Sequence, residues 1–135
     1  MHNSARARGF TLVEVIITVA IVAILVAVAL PTYRDHMRKS RRAEAQAYLM
    51  AVASRQQQFL LDTRAYAPDL PTIGIAKPAN VDAVYELAAS APPGSPPTFR
   101  LTATPKAGTD QVSERCGTLA IDQTGAKTAA LSSCW

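Results

Sequence analysis

The first part of the chain carries one long apolar run, residues 10–30, in which Glu14 is the only charged residue. An α-helix rises about 1.5 Å per residue, so these 21 residues would span about 30 Å, the hydrocarbon thickness of a bilayer. A charged side chain costs about 3 kcal/mol at the centre of a bilayer, so one found there is a functional candidate by default. The pattern therefore predicts a membrane-spanning helix with a functional carboxylate near its beginning.

Beyond this run, apolar residues recur at the i, i+3, i+4, i+7 spacing of one helix face. Pro31 lies between the two patterns, and it kinks or loosens a helix without necessarily ending it, because it lacks a backbone N–H. We therefore expect one helix with an apolar half, residues 10–30, and an amphipathic half, residues 31–61, whose apolar face covers a sheet. This face comprises Ala45, Tyr48, Leu49, Val52, Gln56, Phe59 and Leu60.

The last part of the chain, residues 62–135, has the pattern of a small antiparallel sheet. Prolines and glycines punctuate residues 62–80, which are expected to form a loop. Strand-like alternation occurs at residues 83–88, 98–104 and 118–122. The proline-rich residues 92–97 are a turn or loop, and residues 123–126 are a turn candidate before a short final segment. Short connections favour a meander packed on the helix, so the predicted fold class is α+β.

The formal net charge of +4 is unevenly placed along the chain. Arg6 and Arg8 precede the apolar run, and a second basic group follows it: Arg34, Arg38, Lys39, Arg41 and Arg42. This second group is a candidate for binding nucleic acid or anionic lipid. The lack of interleaved aromatic residues for base stacking favours another interpretation, solvated helical turns just after a membrane exit. A further candidate basic surface comprises Arg100, Lys106, Arg115 and Lys127.

Cys116 and Cys134 are the only two cysteines of the chain. Their spacing matches neither a metal site nor a CxxC redox motif, so a disulfide formed in an oxidising compartment is the simplest interpretation. Closing a loop of this size contributes about 3 kcal/mol in the chain-entropy model. A domain this small needs such a contribution, because its hydrophobic core is barely large enough for independent stability.

Catalytic chemistry has no visible carrier in the sequence. Neither histidine, His2 or His36, has a nearby thiol or nucleophile as a partner, and the six glycines form no phosphate-binding motif. The carboxylates are scattered, which is typical of surface residues. We therefore expect no enzyme activity, no cofactor and no metal site.

An ordinary secretory signal peptide is an alternative interpretation of the first 29 residues. Arg6 and Arg8 would form its basic region, residues 15–29 its apolar region, and residues 27–29, Ala-Val-Ala, match a cleavage pattern. Glu14 lies where the apolar region would begin, and the helical pattern continues past residue 29. Both observations disfavour cleavage at that point.

Residues 9–14, Gly-Phe-Thr-Leu-Val-Glu, follow a short basic leader and precede the apolar run. This arrangement resembles the class III signal of type IV prepilins. Pro31 and Tyr33 lie where type IV pilins have a helix-kinking proline and a tyrosine. The segments Cys-Gly-Thr-Leu at residues 116–119 and Cys-Trp at residues 134–135 resemble the carboxy-terminal disulfide region of pilins, most closely that of PilE-type minor pilins.

The resemblance implies a specific processing reaction. A membrane aspartyl prepilin peptidase would remove the leader, residues 1–9, by cutting between Gly9 and Phe10, and would then N-methylate the new amino terminus on Phe10. Glu14 would pair with the amino terminus of another subunit and set the register of assembly. Without such a partner, its carboxylate would only reach towards the membrane interface.

The resemblance also implies a fold and a role. The helix, kinked at Pro31, would carry a globular head, residues 62–135, closed by a Cys116–Cys134 disulfide. The protein would be a structural subunit of type IV pili, and as a minor pilin it would take part in pilus assembly, adhesion or twitching motility. Its partners would be the prepilin peptidase, other pilin subunits and the inner-membrane assembly machinery. It would cross the inner membrane once before assembly and lie in a cell-surface pilus afterwards.

Other roles stay open at this point: a type II secretion pseudopilin, a DNA-binding pilin for natural transformation, and a plain periplasmic protein. The orientation is also contested. Five basic residues follow the apolar run and two precede it, which by the positive-inside rule would place the head in the cytoplasm. The cysteines and the leader motif favour a periplasmic head instead.

Overall fold

The structure is a computed structural model that describes residues 9–135 of the 135-residue chain. The predicted leader lies outside the described residues except for Gly9, so His2, Arg6 and Arg8 are not described. The chain divides into two compact units, one up to Asp35 and one from His36 to Trp135.

Helix α1, Leu12–Thr63, runs without interruption past Pro31. It begins where Thr11 Oγ1 accepts a hydrogen bond from Glu14 N (3.2 Å), because a threonine at this position satisfies one of the free N–H groups of the first turn. It ends two residues later than predicted, where Arg64 adopts a left-handed backbone conformation with φ of 60°. Pro31 therefore lies within one continuous helix, which confirms the expectation. A kink of the helix at Pro31 stays a prediction.

Up to Leu30, α1 presents apolar side chains on every side, and Glu14 is the one charged residue of this part. Its most apolar 18-residue stretch has a mean hydropathy of 3.0, and none of that stretch is buried. Thr18 Oγ1 donates to the carbonyl oxygens of Glu14 and Val15 (3.0 and 2.8 Å), so this hydroxyl needs no partner outside the helix. By length and composition, α1 is long and apolar enough to span a membrane.

The unit from His36 to Trp135 contains a four-stranded antiparallel sheet with the strand order β1-β2-β3-β4. The strands are Tyr85–Ser90 (β1), Arg100–Pro105 (β2), Leu119–Asp122 (β3) and Lys127–Thr128 (β4). Leu101 illustrates the register, since it lies opposite Ala89 on β1 and Ile121 on β3. The predicted meander is confirmed, and together with α1 it confirms the α+β fold class.

The segment between α1 and the sheet is irregular, as predicted for residues 62–80, apart from two one-turn helices: Leu70–Ile73 (α2) and Ala79–Asp82 (α3). The second of these helices delays the first strand. The Ala83 N–H donates back to Ala79 O, so the strand expected at residues 83–88 begins at Tyr85 instead. The last strand, β4, was not predicted as a strand, because two residues are too few to show alternation.

Residues of α1 and of the sheet share one buried cluster. On the strands, alternate residues enter this core: Tyr85, Leu87, Leu101, Ala103, Leu119 and Ile121. On α1, the predicted apolar face is buried at Ala45, Tyr48, Leu49, Val52 and Gln56. The two remaining residues of that face, Phe59 and Leu60, are half-buried. The apolar spacing in the sequence therefore identified the correct face of the helix.

Gln56 is a polar residue on this face, and it is fully buried. Its Nε2 donates to Ala67 O (2.9 Å), and its Oε1 accepts a hydrogen bond from Ala67 N (2.8 Å). Both polar ends of the side chain are thus satisfied, as buried amides require. The glutamine holds the chain that leaves α1 against the helix.

Candidate functional site

The predicted cleavage site, the Gly9–Phe10 bond, is exposed. Both residues precede α1 in irregular backbone, and Phe10 is 83% exposed. A Cβ added at Gly9 would meet no atom of the described residues within 4 Å, so packing in that part of the chain does not require a glycine. The cleavage after Gly9 and the N-methylation of Phe10 stay predictions.

Glu14 lies in the first turn of α1, three residues after Thr11, in the order of a capping box. Its side chain is exposed and has no ion-pair partner among the described residues. The partial positive charge at the amino terminus of the helix favours a carboxylate at this position. Thr11 was not a predicted site residue, although the Thr-x-x-Glu spacing is visible in the sequence.

A continuous apolar surface covers α1 between Leu12 and Leu30. The exposed fractions of its large apolar side chains lie between 46% and 78%. Apolar patches of this extent are rare on soluble monomers and mark contact with lipid or with another protein. The surface is therefore the largest candidate interaction site that the described residues offer.

Three arginines of the basic group that follows the apolar run form ion pairs within the second unit. Arg41 Nη1 lies 2.9 Å from Asp110 Oδ1, and Arg38 Nε lies 3.8 Å from Asp110 Oδ2. Arg42 Nη1 lies 2.6 Å from Glu114 Oε1. The interpretation of this group as solvated turns is therefore wrong for these three residues. Their partners lie about 70 positions away in the sequence, and only the fold brings them within reach.

The predicted Cys116–Cys134 disulfide is present, and both cysteines are buried. The disulfide closes a loop, and α1 contacts both ends of this loop. Arg42 Nη1 donates to Cys116 Sγ, and Gln46 Nε2 donates to Cys134 O. Glu114 links the two elements, because its Oε2 accepts from Cys116 N (3.0 Å) while its Oε1 binds Arg42. Arg42 and Gln46 are one turn apart, so a single face of α1 clamps the carboxy-terminal loop.

A buried polar pair connects the same part of α1 to the sheet. Gln111 is fully buried, and its Nε2 lies within hydrogen-bond distance of Tyr85 Oη (2.8 Å) and Arg38 O (3.1 Å). Burial raises the pKa of the Tyr85 hydroxyl, because the phenolate form would lose its hydration. These contacts attach the 3₁₀ helix Asp110–Ser113 to β1 and to α1. Neither Gln111 nor Glu114 was predicted, since single polar residues in a loop form no pattern.

The four cations of the candidate basic surface do not form one patch. Arg100 begins β2 and Lys106 follows its end, so they lie about 20 Å apart along the strand. Arg100 is exposed opposite Asp122 on β3. Lys127 Nζ lies 5.2 Å from the centre of the Trp135 ring, in a cation–π contact at the far edge of the sheet. Arg100, Lys106 and Lys127 are therefore presented separately on the head.

Two further observations concern small ligands. Within residues 9–135, no group of three or more histidine, cysteine, aspartate or glutamate side chains is arranged to hold a metal ion. A cavity of about 370 Å³ lies beside the proline-rich connection between β1 and β2, and its lining includes Arg64, Tyr66 and Ser95.

Comparison with known proteins finds two matching family models. A model described as "Type IV minor pilin ComP, DNA uptake sequence receptor" matches residues 31–120. A model described as "Prokaryotic N-terminal methylation motif" matches residues 4–30. The two matches adjoin, and together they cover the exposed apolar part of α1 and most of the head.

Several curated proteins are also similar to this chain. The type IV major pilin PilA of Myxococcus xanthus is 35% identical over 64% of this chain and 39% of its own length. The type IV major pilin PilE of Neisseria gonorrhoeae is 33% identical over 58% of this chain and 47% of its own length. The fimbrial protein EcpC of Eikenella corrodens is 33% identical over 62% and 55%, respectively. The chain thus spans about half the length of these relatives, or less.

The ion pairs of α1 predict how strongly each arginine stabilises the second unit. Arg42→Gln would leave the Glu114 carboxylate, whose side chain is 8% exposed, without its cation. We expect the free energy of unfolding to fall by about 2–3 kcal/mol, somewhat less than for a fully buried pair. Chemical denaturation of the full chain in detergent, followed by the fluorescence of Trp135, measures this change.

Arg41→Gln is the matched control for this experiment. We expect it to cost less than about 1 kcal/mol, because Asp110 is 45% exposed and water screens its pair with Arg41. An equal loss of unfolding free energy in the two variants would contradict the conclusion that the Arg42–Glu114 pair stabilises the second unit more than the Arg41–Asp110 pair.

Proposed function

Because the chain belongs to the type IV pilin family, we propose that it is a structural subunit of a type IV pilus. A prepilin peptidase would remove the leader after Gly9. The inner-membrane assembly machinery would then transfer the subunit from the membrane into a surface filament with other pilin subunits. The observation that carries this proposal is the exposed apolar surface of α1 with one carboxylate, Glu14, in its first turn.

The apolar surface suits both stages of this life cycle. Lipid would cover it before assembly, and the helices of neighbouring subunits would cover it in the filament. Lipid tails are as apolar as leucine side chains, so hydrophobic energy alone hardly distinguishes the two states. Polar pairing and shape must therefore determine where a new subunit stops. Glu14 would do this by pairing with the methylated amino terminus of Phe10 on another subunit, a strong attraction where little water is present.

We place the head in the periplasm before assembly and at the cell surface afterwards. The Cys116–Cys134 disulfide supports an oxidising compartment. The opposing count of flanking cations has little weight here. The positive-inside rule applies to loops of up to about 60 residues, whereas 105 residues follow the apolar run.

A minor-subunit role is part of the proposal. It is supported by the family model over residues 31–120, whose description names a minor pilin, although PilA and PilE are major pilins. Adhesion and twitching motility would be properties of the filament that contains the subunit. A type II secretion pseudopilin is the alternative within this class, and the carboxy-terminal disulfide and the similarity to pilins favour the pilus.

The mature amino terminus tests the processing step. We expect mass spectrometry to find a chain that begins with N-methyl-phenylalanine at Phe10. Gly9→Leu should leave the leader attached, because the larger side chain would obstruct the peptidase while the described part of the chain has room for it. A wild-type chain that begins at Leu30, or one that retains Met1, would contradict the proposal.

Glu14 variants test the assembly step. We expect Glu14→Ala and Glu14→Gln to be cleaved normally but to enter filaments about tenfold less, which corresponds to about 1.4 kcal/mol of lost pairing. The measurement is the fraction of subunit in filaments sheared from cells. Thr18→Val is the control, since the Thr18 hydroxyl bonds only to its own helix and its loss should not affect incorporation. Normal incorporation of both Glu14 variants would remove the pairing role.

DNA binding in natural transformation is a second candidate function. The family model over residues 31–120 favours it, because its description names a DNA uptake sequence receptor. Contacts with phosphates need cations that are not already neutralised. Arg115 is exposed and has no hydrogen-bond or ion-pair partner within residues 9–135, and Arg100 is exposed on the face of the sheet opposite the core.

Salt-dependent binding of labelled duplex DNA to the full chain in neutral detergent tests this second function. We expect affinity to fall steeply as salt rises, and Arg115→Gln to weaken binding at every salt concentration. Arg41→Gln is the control, because Asp110 already occupies the Arg41 guanidinium. An absence of binding at low salt would exclude the DNA-binding role.

A further inference from the structure

Strand β1 forms one edge of the sheet, and half of its backbone groups point away from β2. In an antiparallel pair, residues that bond the neighbouring strand alternate with residues whose N–H and C=O point away from it. Val84 O accepts from Lys106 N (2.8 Å), so the register makes Val84 and every second residue after it the bonded positions. The N–H and C=O groups of Leu87 and Ala89 therefore point away from β2.

These outward groups have no hydrogen-bond partner among residues 9–135. Leu87 is buried and Ala89 is half-buried, and backbone groups so close to a core are normally paired. An unpaired strand edge is a template for a further strand. The two residues are about 7 Å apart along β1, which is also the spacing of alternate residues in an extended peptide. The edge thus offers two donors and two acceptors at the spacing of a strand.

A cleft of about 210 Å³ lies beside this edge. Its lining includes Leu87 and Ala89 of β1 together with Leu70 and Pro71 of α2. A second cavity, of about 320 Å³, shares Leu70 and Pro71 and continues along the segment that follows α2. Where a peptide adds to a sheet edge, backbone hydrogen bonds give affinity and side-chain pockets give specificity. The cleft and the adjoining cavity provide space for both.

Lys77 determines the charge that this site prefers. Among the described residues that line the two cavities, it is the only cation. Its Nζ lies 3.7 Å from Asp82 Oδ1, and the two side chains are 41% and 46% exposed, so this pair is weak and an incoming carboxylate can replace it. Asp69 also lines the cleft, but its Oδ1 accepts a hydrogen bond from Thr72 N (2.9 Å) and caps α2. The site therefore favours an acidic partner.

We propose that the cleft beside β1 binds an extended, acidic peptide segment of a partner protein. The segment adds a strand to the edge of the sheet, and its backbone bonds the N–H and C=O groups of Leu87 and Ala89. One of its side chains enters the adjoining cavity beside Pro71, and one of its carboxylates binds Lys77. This site goes beyond the proposed function, because assembly through α1 does not use the edge of the sheet.

Selection from a displayed library of short random peptides tests the site, with the full chain in neutral detergent as the bait. We expect the enriched peptides to be rich in β-branched residues, to lack proline, and to carry an aspartate or a glutamate. The most enriched peptide is then synthesised, and its affinity is measured by fluorescence anisotropy. Bound peptide should slow the hydrogen exchange of the Leu87 and Ala89 amides, which NMR of the labelled chain records.

Three variants decide whether this peptide binds the cleft. Lys77→Glu should weaken binding about tenfold, because it brings like charges together. Ala89→Pro should also weaken it about tenfold, since it removes an outward N–H but no bond to β2, and edge strands tolerate such a proline. Lys127→Glu is the matched control, because Lys127 is an exposed lysine on β4, at the opposite edge of the sheet. Its affinity for the peptide should equal that of the wild type.

The absence of any enriched peptide would overturn the proposal, and so would enriched peptides that are basic or that bind Lys77→Glu as tightly as the wild type. A wild-type dimer that Ala89→Pro dissociates would assign the edge to a second copy of the chain and would overturn it as well. Lys77 is exposed, so the test does not depend on the folding of Ala89→Pro. Because binding is measured on the unassembled chain, its failure is distinct from a failure of filament assembly.

Discussion

The structure depends on one constraint: a single uninterrupted helix, Leu12–Thr63, must suit two different surroundings. Up to Leu30 it presents apolar side chains on every side, which suits lipid or other apolar helices. From Ala45 onward it has one apolar face, and the sheet buries that face. The chain therefore cannot bury all of its apolar surface by folding alone. The uncovered part has to be covered by a membrane or by other subunits, and this need is the physical basis of the proposed assembly.

Polar groups are satisfied differently in the two parts of α1. In the apolar part, Thr11 and Thr18 bond to the helix itself, as polar groups in a membrane must when no water is near. Only the Glu14 carboxylate is left over, and this is the group that we propose for recognition between subunits. In the second part, Arg42 and Gln56 instead bond residues of the head. These buried contacts bring little net stability compared with apolar packing, but they determine which loops lie against the helix.

The elements that repeat a pattern were predictable, and the contacts that join them were not. Apolar spacing identified the buried face of α1, alternation identified the three longer strands, and the cysteine count identified the disulfide. Asp110, Glu114 and Gln111 gave no signal, because each is a single polar residue in a loop. Their importance comes from partners on α1 that are about 70 positions away. Arg38, Arg41 and Arg42 were misread as solvated for the same reason.

The sequence by itself determined the features that depend on neighbouring residues. They are the length of the apolar run, the placement of Glu14 near its start, the Gly9–Phe10 motif and the proline-rich loop at residues 92–97. Backbone geometry makes such features local, since a helix or an extended loop sets the spacing of residues that are close in sequence. Only the tertiary structure decided which cations are neutralised and which are exposed, and which side chains line the cleft beside β1. Electrostatic and packing energies depend on distance through space, which the order of residues along the chain does not reveal.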